Sequence, residues 1–255
     1  MSSVPNRPDQ ETRPVAVVTG ASSGIGAATV RHLAAAGFDV VVGARRLERL
    51  QELAKEVGPA VRPLPLDVTV AQSIEAFTRA IPACRVLVNN AGGALGQERV
   101  ADSVDEKWLT MFETNVLGLM RMTRALLPKL IASGNGHIVN IGSVAAHEAY
   151  VGGAGYIAAK HGARGVNDVL RLELNGQPVR VSEIDPGMTE TEFSLVRFDG
   201  DESAAARVYE GMTPLVADDI AEIVTFVVTR PAHVDIDTLI VRPRDQARTF
   251  MVHRS

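Results

Sequence analysis

The chain has 255 residues, 46% of them hydrophobic and 22% charged, with a formal net charge of -4 at pH 7. This is globular composition with length enough for a large core, and the absence of a Lys/Arg run argues against nucleic acid or an anionic membrane surface as a partner. A single cysteine, Cys84, excludes an intramolecular disulfide or a cysteine-built metal cluster and suits a reducing compartment.

Residues 1–13 are rich in proline and polar side chains, so they read as a flexible tail and not as a signal peptide or anchor. No later apolar run approaches the roughly 20 residues of a membrane-crossing helix. The expectation is a soluble, cytoplasmic protein with no membrane partner and no bound metal. From Pro14 onward, short β-branched runs alternate with segments of helical period. That pattern is an α/β fold, a doubly wound parallel sheet with helices on both faces. The predicted strands are 15–19, 39–44, 61–66, 85–89, 137–141, 179–184 and 238–242, and they fit one seven-stranded sheet in a single domain over 14–255. Ser103 with Glu106 and Thr69 with Gln72 have capping-box spacing, and Gly37 stands where the first helix should stop. Cys84, just before an apolar strand, reads as small filler.

The stretch VAVVTGASSGIGAATV runs strand, glycine turn, helix. Gly20, Gly24 and Gly26 permit a tight turn. The helix N-terminus, with Ser22, Ser23 and Ile25, can then face a pyrophosphate. Glycines also serve plain strand-to-helix geometry, but a turn placed directly after a buried strand and opening an apolar helix points to nucleotide binding. About 20 residues further on, an Asp or Glu would read the ribose hydroxyls of NAD. This chain has Arg45 and Arg46 there, which suit a 2'-phosphate and so NADP. Asp67, followed by Val68, either lies near an adenine or only caps a helix. Asn89 and Asn90, followed by the small residues Ala91 and Gly92, form a turn that a flat ligand can approach closely.

Tyr156 and Lys160 lie four residues apart, on one face of a helix. An ammonium beside a phenol favours the phenolate, and a tyrosine so tuned exchanges a proton with an alcohol or carbonyl oxygen. Alone, such a pair is ordinary helix surface; the conjunction with other residues gives it meaning. Ser143 follows a predicted strand thirteen residues before Tyr156, placed to hold a reacting oxygen. Asn115 interrupts a helical pattern, either orienting a water behind Lys160 or bonding locally. After Asp185-Pro186-Gly187 the alternation breaks, and residues around 188–214 read as a substrate lid. Arg197, inside it, either receives a substrate carboxylate or faces solvent. His147 reads as an exposed loop histidine near the pocket, and Trp108 as packing or a subunit contact.

TGASSGIG, NNAG, Asn115, Ser143, YIAAK and DPG occur in the order and spacing of the short-chain dehydrogenase/reductase family, and the resemblance covers about residues 14–245. It implies a Rossmann fold, a nicotinamide cofactor and four catalytic residues. Tyr156 would be the proton donor or acceptor, Lys160 would bind ribose and lower the tyrosine pKa, Ser143 would polarise the substrate oxygen, and Asn115 would support a proton relay. Pro186, Gly187, Met188 and Thr189 match the segment that faces the nicotinamide. The family implies a homo-oligomer, dimer or tetramer, through helices beginning near Val104 and Gly155. RRLERLQEL, TETEFSLVRFDGD, PAHVDIDTLIVRP and the terminal VHR resemble the NADP-dependent 3-hydroxy acid dehydrogenases, which act on serine-type acids. The expected substrate is a small alcohol or carbonyl compound. A reductase of a bulkier aldehyde or ketone, or a non-catalytic NADP-binding regulator, is the alternative; a regulator has no need to keep Asn115, Ser143, Tyr156 and Lys160 together.

Overall fold

The computed structural model describes residues 13–255. The tail expected over 1–13 therefore lies outside the described residues except for its last member. Arg13 is anchored, its guanidinium donating to the carbonyls of Ala34, Gly37 and Phe38.

The first half alternates strand and helix: β1 (Val15–Thr19), α1 (Gly24–Ala35), β2 (Asp39–Ala44), α2 (Leu47–Val57), β3 (Val61–Pro65), α3 (Ala71–Arg79) and β4 (Val86–Asn89). Helices α4 (Asp105–Phe112) and α5 (Leu119–Ala132), β5 (Gly136–Ile141), α6 (Ala154–Glu173) and β6 (Val179–Pro186) follow. The remainder comprises β7 (Thr189–Glu190), α7 (Glu192–Arg197), α8 (Glu202–Arg207), β8 (Leu215–Val216), α9 (Ala217–Val228), β9 (Thr238–Val241) and a hairpin of β10 (Gln246–Arg248) and β11 (Met251–Val252). Seven strands form one parallel sheet in the order β3-β2-β1-β4-β5-β6-β9.

Because side chains alternate across a strand, each central strand feeds two cores. Ala16 and Val18 of β1 pack with Val30 and Leu33 of α1 and Ile220 and Val224 of α9. Val17 points the other way, to Phe77, Met122 and Leu126. The strand order reverses between β1 and β4, so the helices that follow them leave toward opposite faces and a crevice opens at the carboxyl ends of the strands. That crevice is the site described below.

Two capping expectations fail. Helix α3 begins after Val70 with no side-chain cap, while the Thr69 hydroxyl bonds Asp67; α4 begins after Val104, while the Ser103 hydroxyl bonds the Val100 carbonyl. Both hydroxyls lie one residue too early and are taken by the turn that precedes the helix. The 188–214 segment, expected to be a lid, holds two short helices where periodicity showed little. Each is set by its cap, the Thr191 hydroxyl accepting from Phe193 N at 3.2 Å and Asp201 Oδ1 from Ala204 N at 2.9 Å. The C-terminal hairpin folds back on the cleft rim, Gln246 Oε1 accepting from Met188 N at 2.9 Å. Among the described residues no helix is long and apolar enough to cross a membrane.

His137, in β5, is fully buried with Nε2 2.8 Å from Ser182 Oγ, and burial pushes its imidazole down to about 3. The unfolded chain takes up this proton below about pH 6.5 and the folded chain does not, so stability falls as pH drops from there toward 3. Urea unfolding at pH 7 and pH 5 should show a loss of about 2 kcal/mol that His137→Gln does not show, judged against the ordinary histidine pKa; equal losses in both proteins would contradict the assignment.

Candidate active site

The crevice encloses about 860 Å³. Gly20, Ser22, Ser23, Gly24 and Ile25 line one end. Gly20 and Gly24 have φ of 65° and 53°, which non-glycine residues rarely adopt, and a Cβ on Gly20 would lie 2.8 Å from Ala91 Cα. Gly26 does not line the cleft; its missing Cβ lets α1 approach the Gly20 carbonyl and the Asn90 amide, each 2.5 Å from where that atom would be. Helix α1 starts with no side-chain cap, so its first-turn N–H groups are left for a ligand.

Arg45 and Arg46 line the same end. The Arg46 guanidinium donates to Ser22 Oγ at 3.0 Å and Ser23 Oγ at 2.9 Å, and to Glu192 Oε2 at 3.0 Å. Open helix N–H groups beside two arginines suit a polyanionic ligand. Asp67 and Val68 also line the cleft. Asp67 is not a helix cap: its Oδ1 accepts from the N–H and hydroxyl of Thr69, closing a turn.

Asn90, Ala91 and Gly92 reach the cleft, whereas Asn89 does not. Asn89 is buried below, donating to Thr123 Oγ1 and Asn140 Oδ1 at 2.9 Å each, because the last residue of a central strand alternates inward. Of the two asparagines it is therefore Asn90, and not Asn89, that faces the cleft. Asn115 also lies behind the wall, in a π-helical stretch between α4 and α5. Its side chain donates to the carbonyls of Gly93 at 2.9 Å and Met111 at 2.8 Å and accepts from Gly93 N at 3.2 Å. The side chain therefore bonds locally and holds the turn that forms the cleft floor, with no bond to Lys160.

Ser143, Tyr156 and Lys160 meet at the other end of the cleft, joined by Pro186, Gly187, Met188 and Thr189. Tyr156 and Lys160 share a face of α6, with Nζ 5.8 Å from the phenol ring centre. The expected lowering of the tyrosine is not found. Burial pushes the phenol up to about 12, against the opposing pull of the Ser143 hydroxyl and the Arg197 charge. Burial likewise pushes Lys160 down to about 8, with Asp185 and Glu183 holding it up. The Lys160 ammonium donates to the Ile141 carbonyl at 2.9 Å. Desolvation thus sets the direction of both shifts, and the pull that opposes it at the phenol comes from Ser143 and Arg197.

Beneath this group runs a network that the sequence did not reveal. Asp185, 0% exposed, accepts from Ser143 N at 2.8 Å and from His147 Nε2 at 2.6 Å. His147 is not an exposed loop residue: its side chain is 15% exposed and its Nδ1 accepts from Arg164 at 2.7 Å. A guanidinium only donates, so Nδ1 carries no proton, and the proton on Nε2 points at Asp185. Glu183, two residues back on the same face of β6, is 2% exposed and pushed up to about 8 by burial and by Asp185. The Asp185 of the DPG run was the one available signal, a carboxylate at the end of a buried strand.

Arg197 lies on the cleft wall. Its Nε donates to the Gly96 carbonyl at 3.1 Å and its Nη1 to Tyr150 Oη at 3.0 Å, while Nη2 is buried without a partner among the described residues. Phe193 of α7 meets Tyr156 edge-on, ring centres 5.5 Å apart. Phe193, Tyr150 and Glu192 were missed because they belong to segments without periodicity. Trp108 is packed against the Tyr156 cluster, and Cys84 is buried, its thiol pushed up to about 12 by desolvation.

Residues 14–201 match the family described as short chain dehydrogenase. An uncharacterized oxidoreductase of Mycobacterium tuberculosis is 59% identical over 233 residues, 91% of this chain and 92% of that protein. The NADP-dependent 3-hydroxy acid dehydrogenase of Escherichia coli is 43% identical over 246 residues, covering 94% and 99%. Among solved structures, the closed form of a serine dehydrogenase complexed with NADP+ superposes with a TM-score of 0.90 at 42% identity, covering 94% of this chain and all of that one.

Proposed function

The chain belongs to the short-chain dehydrogenase family, and from that premise we propose an NADP-dependent oxidoreductase that interconverts a carbinol and a carbonyl, with a small 3-hydroxy acid as substrate. The observation that carries this reading is one continuous cleft with a phosphate-ready glycine turn and arginines at one end and Ser143, Tyr156 and Lys160 at the other. Gly20, Ser22, Ser23, Gly24 and Ile25 would receive the pyrophosphate, Arg45 and Arg46 the 2'-phosphate, Asp67 and Val68 the adenine side, and Asn90, Ala91, Gly92 and residues 186–189 the nicotinamide side. NADP(H), when bound, supplies or accepts the hydride.

The chain's own residues handle the proton. In the reductive direction Tyr156 donates its phenolic proton to the carbonyl oxygen, and the Ser143 hydroxyl bonds the same oxygen. Lys160, at the end of the cleft where the ribose would lie, adds positive charge that stabilises the phenolate left behind. Asp185 pins the Ser143 backbone and so fixes where its hydroxyl stands. Phe193 closes over the phenol edge and keeps water from it. The buried, unpartnered Nη2 of Arg197 supports the choice of an acid, since a guanidinium pairs with a carboxylate through charged hydrogen bonds.

Large apolar side chains stand exposed on neighbouring helices: Leu109 and Phe112 on α4, Val169 and Leu172 on α6. They support a homo-oligomer, a dimer or tetramer, built through this face. Sedimentation of the parent should give a multiple of the 27.2 kDa chain, and Leu172→Asp should shift it toward the single chain; a monomeric parent would remove the assembly.

Tyr156→Phe should lower kcat by about a hundredfold or more with little change in KM, the usual range for a lost acid/base group. Because burial holds the phenol protonated and brings Lys160 to about 8, carbonyl reduction in the parent should be level up to about pH 7 and fall above about pH 8 as the stabilising ammonium is lost, whereas alcohol oxidation, which needs the phenolate, should climb over the same range up to about pH 8. Full turnover in the phenylalanine variant would end the proton assignment. For the substrate, the parent should prefer a 3-hydroxy acid over its methyl ester, and Arg197→Met should erase that preference; equal efficiencies in the parent would rule out the carboxylate contact.

A further inference from the structure

The arginine end of the cleft contains a carboxylate for which the proposed function has no use. Glu192 is the first residue of α7 and lines the cleft. Its two oxygens accept from Arg49 Nη1 at 2.7 and 2.8 Å, and Oε2 also accepts from Arg46 Nη1 at 3.0 Å. Burial raises the Glu192 carboxyl, but the bonds from Arg49 and Arg46 outweigh it and hold the group below its usual range, so it is ionised at neutral pH. Nε and Nη2 of Arg46 are committed to Ser22 and Ser23. With Nη1 on Glu192, Arg46 has one N–H left and no paired edge for a phosphate.

The same helix ends at the other subsite. Helix α7 spans six residues, about 9 Å at the usual helical rise. Its last residue, Arg197, is tied to Gly96 and Tyr150, and the Arg197 carbonyl accepts from Gly96 N at 2.9 Å. One short rod is thus pinned at its start to Arg46 and Arg49 and at its end to the substrate wall.

We infer that Glu192 is a specificity-determining residue for the cofactor: it occupies Arg46, one of the two arginines that the ribose 2'-phosphate would use, so a phosphate-bearing cofactor displaces it from Arg46 and releases the first turn of α7. This rests on the reading that Arg45 and Arg46 receive the 2'-phosphate. A phosphate monoester carries close to two negative charges at neutral pH, and it cannot share Arg46 with a carboxylate without repulsion. The ion pairs it must break are about two-fifths exposed on each side, so they yield at little cost. An adenosine nucleotide lacking that phosphate leaves the bridge intact and the helix pinned. Glu192 therefore moderates the affinity for NADP and makes the lid sensitive to which dinucleotide is bound.

The test uses the full chain with adenosine 2',5'-bisphosphate and 5'-AMP as probes, measured by titration calorimetry, with limited proteolysis of the 188–214 segment as a second readout. The parent should bind the bisphosphate more tightly than 5'-AMP, and only the bisphosphate should change the cleavage rate of the segment. Glu192→Gln should tighten the bisphosphate about threefold or more, the scale of an exposed ion pair, leave 5'-AMP unchanged and abolish the bisphosphate effect on cleavage. If the parent prefers the bisphosphate but Glu192→Gln binds both probes as the parent does, or tightens both equally, the Glu192 role is overturned while the cofactor reading stands. If the parent binds both probes equally, the 2'-phosphate reading fails and the Glu192 role fails with it.

Discussion

Desolvation at the carboxyl ends of β5 and β6 is the constraint on which the site depends. Tyr156, Lys160, Glu183 and Asp185 all lie in a volume that water barely reaches, and burial is the first cause of the shift in each. Burial favours the neutral form of every group, so the phenol and the carboxyls move up and the ammonium moves down. A lysine brought near 8 responds to any charge placed beside it.

Around this cluster, Ser143, His147, Arg164 and Asp185 are bonded in a fixed pattern, while Glu183 Oε2 is buried without a partner among the described residues. Arg164 fixes the tautomer of His147, His147 donates to Asp185, and Asp185 holds the Ser143 N–H. The chain of bonds ties α6, the turn after β5 and the end of β6 into one unit, so the serine and tyrosine hydroxyls are set by three elements at once. Asn115 does the same for the opposite wall, its amide bonding both backbone groups of Gly93. Parallel topology supplies the rest: the order reversal at β1 and β4 opens the crevice, and helix α7 crosses it from Arg46 to Tyr150.

Much of this was legible in the sequence, for identifiable reasons. The five inner strands are buried on both faces and give continuous apolar runs, and all seven strands were found within two residues of their ends. The glycine turn, the arginines after β2 and the Tyr156–Lys160 spacing depend on local backbone geometry, which sequence records directly. Contacts between segments far apart in the chain were not legible. His147 meets Asp185 across 38 residues and Arg46 meets Glu192 across 146, and no local pattern encodes either. Asn89 and Asn90 were read as equivalent, although strand alternation buries one and presents the other. The direction of the Tyr156 shift was misread because the charge four residues along is visible in sequence and the burial around it is not.

The most direct test is an ultraviolet difference titration of Tyr156 in the cofactor-free protein, parent minus Tyr156→Phe. At pH 10, where an unperturbed phenol is half ionised, burial predicts that Tyr156 is still almost wholly protonated. A half-ionisation point below pH 10 would mean that the groups favouring the phenolate prevail over desolvation, and would contradict the account.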